Sequence, residues 1–148
     1  HPDHFATVLY HLGHFYNQAH VIVENNSHGI LTCTRLIKDM AYSNAYLETA
    51  IDKITDRETV KLGFTTTAKT KPLIIDQLRA AMRDGEMQIH DKVTLREMLT
   101  YIVTESGAME AEAGCHDDTV MALALANHVH EGAWEPIETP HDLYIEMV

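Results

Sequence analysis

The spacing of apolar residues predicts a helix, a strand and a second helix in the first part of the chain. Apolar side chains recur at intervals of three and four over residues 4–18, as on the buried face of an amphipathic helix. Three consecutive β-branched residues then predict a strand over residues 19–24 that is buried on both faces. Residues 25–28 have the composition of a turn, and a second helix is predicted over residues 29–40.

The middle of the chain predicts a pair of strands followed by a helix. Over residues 46–64, apolar residues alternate with charged residues and threonines, which predicts a hairpin or two short edge strands. Its turn is expected near residues 55–57, and a helical alternative stays open for residues 48–53. A third helix is predicted from Thr70, with a proline in its tolerated first turn, to the Asp-Gly pair at residues 84–85.

The remaining pattern predicts mainly helices. A very short strand over residues 87–89 precedes a fourth helix over residues 91–103, which is capped by its first aspartate. Residues 110–114 alternate charged and small side chains, as in a small hairpin. A last helix over residues 117–130 is apolar nearly all round, so it is predicted to be packed inside. A tail follows over residues 132–148.

These elements predict one α/β domain over residues 1–148, with its core within about 4–131 and a small mixed sheet flanked by helices. A chain of 148 residues can bury a proper core. No apolar run approaches the roughly 18 residues of a membrane span, and the first residues do not resemble a signal peptide. Two cysteines without a framework or metal spacing favour a reducing, cytoplasmic setting.

The charge of the chain narrows the possible functions. A formal net charge of −11 argues against a protein that holds nucleic acid on a broad basic surface. It leaves room for an enzyme whose carboxylates bind metal ions that then contact phosphate. The 11 histidines are scattered, and they do not form the tight ligand set of a zinc site.

Two acidic positions are candidates for chemistry. Glu24 ends the predicted buried strand, and in open α/β sheets ligands bind at the rim where strands end. Asp117 and Asp118 stand before the last helix, where carboxylates also cap free N–H groups, so a purely structural role stays open. However, Asp117 shares a helix face with Met121 and Ala124, which draws it towards the core. A carboxylate there needs a partner, because a lone buried charge is costly.

A metal ion shared by Glu24 and Asp117 is one such partner. Two divalent ions roughly 3.5–4 Å apart catalyse phosphodiester hydrolysis by stabilising the attacking and leaving oxygens. Carboxylate oxygens favour Mg²⁺ or Mn²⁺ as these ions. A two-ion site needs at least three carboxylates, and the sequence offers Glu24, Asp117 and Asp118.

Four segments together resemble a known family. They read Val-Ile-Val-Glu-Asn-Asn-Ser-His-Gly over residues 21–29, Lys-Leu-Gly-Phe-Thr-Thr-Thr over 61–67, Thr-Lys-Pro over 70–72, and Gly-Cys-His-Asp-Asp-Thr-Val-Met-Ala over 114–122. In this order they resemble the C-terminal nuclease domain of the large subunit of tailed-phage terminases. The resemblance reaches from the start of the chain to about His130. It implies an RNase H-like fold and Mg²⁺- or Mn²⁺-dependent cleavage of concatemeric double-stranded DNA during genome packaging.

The resemblance also implies roles for individual residues. Glu24 matches the acidic metal ligand on the central strand, Asp117 the acid at the start of the last helix, and Asp118 the neighbouring acid that serves the second ion. His116 would lie close by, in the second shell. Residues 104–114 match a hairpin beside the active site.

The loop over residues 63–71 is expected to contact phosphate, with Asn26 and Lys71 as candidates. A solvated lysine near a helix start is the plainer interpretation of Lys71. The resemblance further implies an ATPase domain, a portal and a small terminase subunit as partners, no membrane, and the host-cell cytoplasm as location.

One departure from the family is serious. RNase H-like sites take their first aspartate from the first strand of the sheet, yet this chain starts at the first helix, and no such strand precedes Phe5. The sequence therefore predicts a nuclease domain without its first strands. We expect weak metal binding, little or no cleavage by this chain alone, and self-association through the exposed edge of the strand over residues 19–24.

Two other interpretations stay open. The first is another RNase H-like enzyme such as a junction resolvase, against which the segments at residues 61–67 and 70–72 argue. The second is a non-catalytic interaction module in which Glu24 and Asp117 are structural caps. The acidic charge and the missing aspartate favour the second for this chain.

Overall fold

The fold is that of a computed structural model, which describes residues 1–52 and 57–130. The helices are α1 (Pro2–Phe15), α2 (Gly29–Thr34), α3 (Thr70–Arg83), α4 (Lys92–Leu99) and α5 (Asp118–His130). The strands are β1 (Leu47–Asp52), β2 (Arg57–Leu62), β3 (Tyr101–Val103) and β4 (Met109–Ala111). The prediction of a mixed α and β chain is confirmed. No helix in these residues has the length and apolarity that crossing a bilayer requires.

The strands form two separate antiparallel pairs among the described residues, so the prediction of one small mixed sheet is wrong. β1 pairs with β2 from Leu47 opposite Leu62 to Asp52 opposite Arg57, which confirms the predicted hairpin and excludes the helical alternative for its first strand. The predicted turn of this hairpin lies largely outside the described residues. β3 pairs with β4 in a second, smaller hairpin, which overlaps the hairpin predicted over residues 110–114 only at residues 110–111.

Residues 21–25 are extended, but they do not form the predicted strand. Val21 and Glu24 make isolated parallel bridges with two different partners, Ala45 and Phe64, so no continuous ladder forms. The N–H of Val21 donates to Asn44 at 2.9 Å, and the N–H of Phe64 donates to the carbonyl of Val23 at 2.9 Å. We refer to residues 21–25 as the bridging segment.

The bridging segment lies between two hydrophobic clusters. Ile22 packs against a larger cluster built mainly from α3 and α5, whereas Val21 and Val23 pack against a smaller cluster around α1 and the second helix. This alternation follows from the strand geometry, in which successive side chains point to opposite faces. The prediction of full burial on both faces is wrong, because residues 21–24 are each only partly buried.

The second helix changes character along its length. α2 continues into a π-helical turn over Arg35–Asp39. α2 and this turn together cover the predicted second helix. At the start of α2, Gly29 lies so close to the Glu24 carbonyl oxygen that a Cβ atom would overlap it. This contact requires glycine, and it brings the start of α2 onto the end of the bridging segment.

Three other predictions need correction. The fourth helix ends at Leu99 rather than at residue 103, because Tyr101–Val103 pair with β4 instead. Residues 87–89 form no strand. α5 buries one face through residues such as Val120 and Ala124, but Ala122 and Ala126 are exposed, so it is not enclosed on all sides. The predicted tail lies outside the described residues.

Candidate functional site

An open cleft of about 690 Å³ lies beside the bridging segment. Its apolar walls come from α1, which contributes Phe5 and Leu9, and from α5, which contributes Met121 and Leu125. Ile22 of the bridging segment lies between them. The cleft therefore forms where the two halves of the molecule meet, and the end of the bridging segment opens into it.

Five of the six residues that the sequence singled out line this cleft. They are Glu24, Asn26, Lys71, Asp117 and Asp118. The two groups of acids are far apart in sequence, and the fold brings them to one cleft through the packing of α5 beside the bridging segment. Their shared location supports the prediction that the end of this segment and the start of the last helix face each other.

Glu24 is held at the end of the bridging segment. The parallel bridge to Phe64 fixes its backbone, and the Asn26 side-chain N–H₂ donates to the Glu24 carboxylate at 2.8 Å. Asn25 anchors the same turn, because its amide donates to the Leu62 carbonyl at 3.1 Å and to Thr65 at 3.2 Å. Asn26 thus acts on the Glu24 carboxylate directly, a role that the sequence did not predict.

Asp117 forms an ion pair with Lys71. The Lys71 ammonium lies 3.2 Å from Asp117 Oδ2, and about a quarter of each side chain is exposed. Lys71 also lies over the Tyr101 ring, 5.7 Å from its centroid. Burial opposes the charge of Lys71, but the hydrogen bond to Asp117 and the neighbouring Tyr101 outweigh it and raise the pKa of Lys71. At neutral pH, Lys71 therefore stays a cation beside Asp117.

The position of Lys71 is unusual for a lysine. It lies in the first turn of α3, where the helix dipole is positive and cations are disfavoured. Asp117 and the face of Tyr101 supply the attraction that this position lacks. The interpretation of Lys71 as a freely solvated residue is wrong, because its ammonium is engaged within the cleft.

The start of α5 is capped by a residue from another helix. Glu97 of α4 accepts hydrogen bonds from the Thr119 N–H at 2.7 Å, the Thr119 hydroxyl at 2.6 Å and the Val120 N–H at 3.4 Å. The Thr119 hydroxyl, followed by the backbone N–H groups, lowers the pKa of Glu97. Among the described contacts, the Asp117 side chain accepts from Lys71 and not from the backbone of α5.

Asp118 and His116 are exposed to solvent. The side chain of Asp118 is 87% exposed and that of His116 is 80% exposed. His116 Nδ1 lies 3.9 Å from Asp118 Oδ2, and His116 does not line the cleft. Asp118 therefore borders the cleft from its solvent side.

The donor chemistry of the cleft suits a divalent cation, since its three acids offer oxygen ligands of the kind that Mg²⁺ and Mn²⁺ prefer. The described side chains do not, however, form a group of three acids, histidines or cysteines placed to share one ion. Asp117 is paired with an ammonium instead. The cleft collects three candidate ligands without directing them to one point.

The residues that sequence reasoning missed are Glu97 and Tyr101. Glu97 acts across 22 residues of sequence, a separation that no local pattern reveals. Tyr101 fell within the helix predicted over residues 91–103, which hid its place at the start of β3.

No model of a known protein family matches the chain.

Proposed function

We propose that this cleft is the metal-binding centre of an endonuclease that cleaves double-stranded DNA, as in the nuclease domain of terminase large subunits. The observation that carries the proposal is the meeting of Glu24, Asp117 and Asp118 at one cleft. These acids come from the end of an extended segment and from the start of a helix. Lys71 and Asn26 line the same cleft and supply donors for phosphate oxygens.

In this proposal Glu24 and Asp117 bind a divalent ion, and Asp118 serves a second ion from the solvent side. When bound, such ions polarise the phosphate and lower the pKa of a coordinated water. The chain itself contributes the orientation of the ligands. Asn26 holds one oxygen of Glu24, and the capping of α5 by Glu97 leaves the Asp117 carboxylate within the cleft.

Lys71 is proposed to contact the DNA backbone. Its ammonium already lies at the cleft beside Asp117. When a metal cation binds Asp117, the Lys71 ammonium would leave the Asp117 oxygen and contact a phosphate oxygen instead. A phosphate oxygen is an equivalent partner for the Lys71 ammonium, because phosphate and carboxylate both provide a charged acceptor. The Tyr101 ring, over which the Lys71 ammonium lies, would stay beside it throughout.

The alternative of a non-catalytic module with acidic caps finds less support. It requires Asp117 to cap α5, whereas the described contacts give that role to Glu97. Glu24 likewise accepts from the side chain of Asn26 rather than from a helix start. Among residues 1–52 and 57–130, neither acid has the contacts of a structural cap.

The binding of a short DNA duplex tests the proposal. Because the chain carries a net charge of −11, DNA should bind only when divalent ions bridge its phosphates to the cleft. We expect fluorescence anisotropy to detect duplex binding with Ca²⁺, used to slow cleavage, and none with EDTA. Asp117→Asn should reduce Ca²⁺-dependent affinity about tenfold or more.

A matched control separates the cleft from overall charge. Asp76→Asn removes one negative charge from the exposed side of α3, where Asp76 is paired with Arg79 at 3.6 Å. This variant should bind the duplex as the parent does, or slightly better. Equal affinities of Asp117→Asn, Asp76→Asn and the parent in Ca²⁺ would contradict the proposed function.

A further inference from the structure

Asp117 occupies the N-cap position of α5. Its carbonyl accepts the Met121 N–H at 2.9 Å, which is the first hydrogen bond of this helix. An aspartate at this position ordinarily turns its carboxylate back to the N–H groups two and three residues further on. Here those groups belong to Thr119 and Val120.

Both of these N–H groups are already taken. Glu97 Oε2 accepts from the N–H of Thr119 at 2.7 Å and from the N–H of Val120 at 3.4 Å, and the Thr119 hydroxyl adds a third bond at 2.6 Å. One carboxylate oxygen from α4 thus satisfies the donors that would otherwise attract Asp117. The Asp117 carboxylate is instead directed to Lys71.

We propose that Glu97 is a positioning residue, which keeps the Asp117 carboxylate turned into the cleft by taking its place as the cap of α5. Without Glu97, the Thr119 and Val120 N–H groups lose their acceptor. The Asp117 carboxylate occupies the N-cap position, from which a side chain accepts from these N–H groups, and it would leave Lys71 to cap the helix. We call this replacement of Glu97 by Asp117 the exchange of caps, and it does not depend on the proposed function. Its consequence for metal binding rests on the proposed function.

The exchange of caps is tested by thermal unfolding in EDTA. If Asp117 replaces Glu97 as the cap in Glu97→Ala, the stability lost with the Glu97 cap is partly restored in that variant. Removing both carboxylates leaves α5 without a cap. In a Lys71→Met background, where no ion pair with Asp117 can be lost, the melting temperature of Glu97→Ala/Asp117→Ala should therefore fall by about 3 °C more than the sum of the two single decreases.

The neighbouring acid is the matched control for this cycle. Asp118 is the first residue of α5 and does not occupy the N-cap position. The decreases for Glu97→Ala and Asp118→Ala should therefore add within error. Additive decreases for Glu97→Ala and Asp117→Ala as well would overturn the exchange of caps.

The effect on the cleft is measured by Mn²⁺ binding in calorimetry. Glu97→Ala should weaken Mn²⁺ binding about tenfold, which is the usual loss when the partner of a metal ligand is removed. Glu97→Gln keeps an oxygen that accepts from the same N–H groups, so it should bind Mn²⁺ within about twofold of the parent. If Glu97→Ala does not fold, Glu97→Asp replaces it, because the shorter side chain draws the carboxylate away from the Thr119 and Val120 N–H groups, and it should likewise weaken Mn²⁺ binding.

The outcomes distinguish this inference from the proposed function. If the parent binds Mn²⁺ and Glu97→Ala binds it with the same affinity, the positioning role is overturned, but the proposed metal site is not. Equal weakening by Glu97→Gln and Glu97→Ala would also overturn it, since the retained cap would then have no effect. Absence of Mn²⁺ binding by the parent would contradict the proposed function, while the unfolding cycle would still decide the exchange of caps.

Discussion

Asp91 is the residue whose contribution to stability is easiest to isolate. It is the N-cap of α4, and its Oδ2 accepts from the Thr94 N–H at 2.7 Å and from the Thr94 hydroxyl at 2.8 Å. These two bonds, the backbone bond first, lower the pKa of Asp91. Because α4 carries Glu97, this cap also supports the residue that caps α5.

The lowered pKa predicts a pH dependence of stability. A carboxyl group whose folded pKa lies below its unfolded pKa stabilises the fold above the unfolded value of about 3.9, and this effect is lost as the pH falls through the folded value. Asp91→Ala should therefore melt about 2–4 °C below the parent at pH 7, and this gap should narrow below pH of about 4.

Asp91→Asn is the control, because asparagine caps helices without titrating in this range. Its difference from the parent should stay small at neutral pH. Melting temperatures recorded by circular dichroism between pH 3 and pH 7 give the comparison. A gap between Asp91→Ala and the parent that is as wide at pH 3 as at pH 7 would disprove this account of Asp91.

Asp91 and Glu97 also mark how far single residues can be predicted from sequence. The cap by Asp91 was predicted, because its partner lies three residues further on and the pattern is local. The cap by Glu97 was not, because it depends on how α4 packs against α5. The same packing decides that Asp117, a residue with the sequence of a cap, faces the cleft instead.

At the scale of elements, the bridging segment has one unpaired edge within the described residues. Val21, Val23 and Asn25 bond to one side, through contacts with residues 44–46 and with Phe64. In an extended chain, alternate residues direct their N–H and C=O groups to opposite edges. The backbone groups of Ile22 therefore face the other edge, where no described residue pairs with them. Unpaired edges favour association with other chains.

We expect this edge to cause self-association, helped by the apolar wall of the cleft. Phe5 lines the cleft and is 53% exposed, whereas Phe15 is 78% exposed on the same helix and lies outside the cleft. Phe5→Glu should shift the protein towards monomer in sedimentation velocity at micromolar concentration, because the added charge would oppose burial of this wall. Phe15→Glu should leave the distribution as in the parent.

A parent protein that sediments as a monomer at these concentrations would refute the prediction. Equal effects of the two substitutions would also count against it, because they would show that the cleft wall has no special part. The comparison is fair, since both variants add the same charge to the same helix.

The elements themselves were predicted unevenly, for a physical reason. α1 and α3 follow local periodicity, whereas α5 is a continuous apolar run, and all three were predicted close to their observed ends. The end of α4 was not, because apolar spacing continues into residues 101–103 while pairing with β4 makes them a strand. The bridging segment likewise has the composition of a buried strand, but its pairing depends on distant partners.

At the scale of the whole molecule, two packed halves meet along the bridging segment and leave a cleft between α1 and α5. The ends of elements were enough to predict that Glu24 and Asp117 would share this cleft. The pairing of Asp117 with Lys71 could not be predicted, because it depends on how distant parts of the chain pack. Asn26, in contrast, lies two residues from Glu24 and reaches it locally. The cleft has three acidic side chains, and the Lys71 ammonium is the cation that pairs with Asp117.

The central claim is that the acids of this cleft bind a divalent cation, and Mn²⁺ titration by calorimetry tests it most directly. The parent should bind Mn²⁺ weakly, and Glu24→Gln and Asp117→Asn should each bind about tenfold less tightly or not at all. Asp76→Asn, which removes a carboxylate outside the cleft, should bind as the parent does. The same affinity in all four proteins, or no binding by the parent, would contradict the claim.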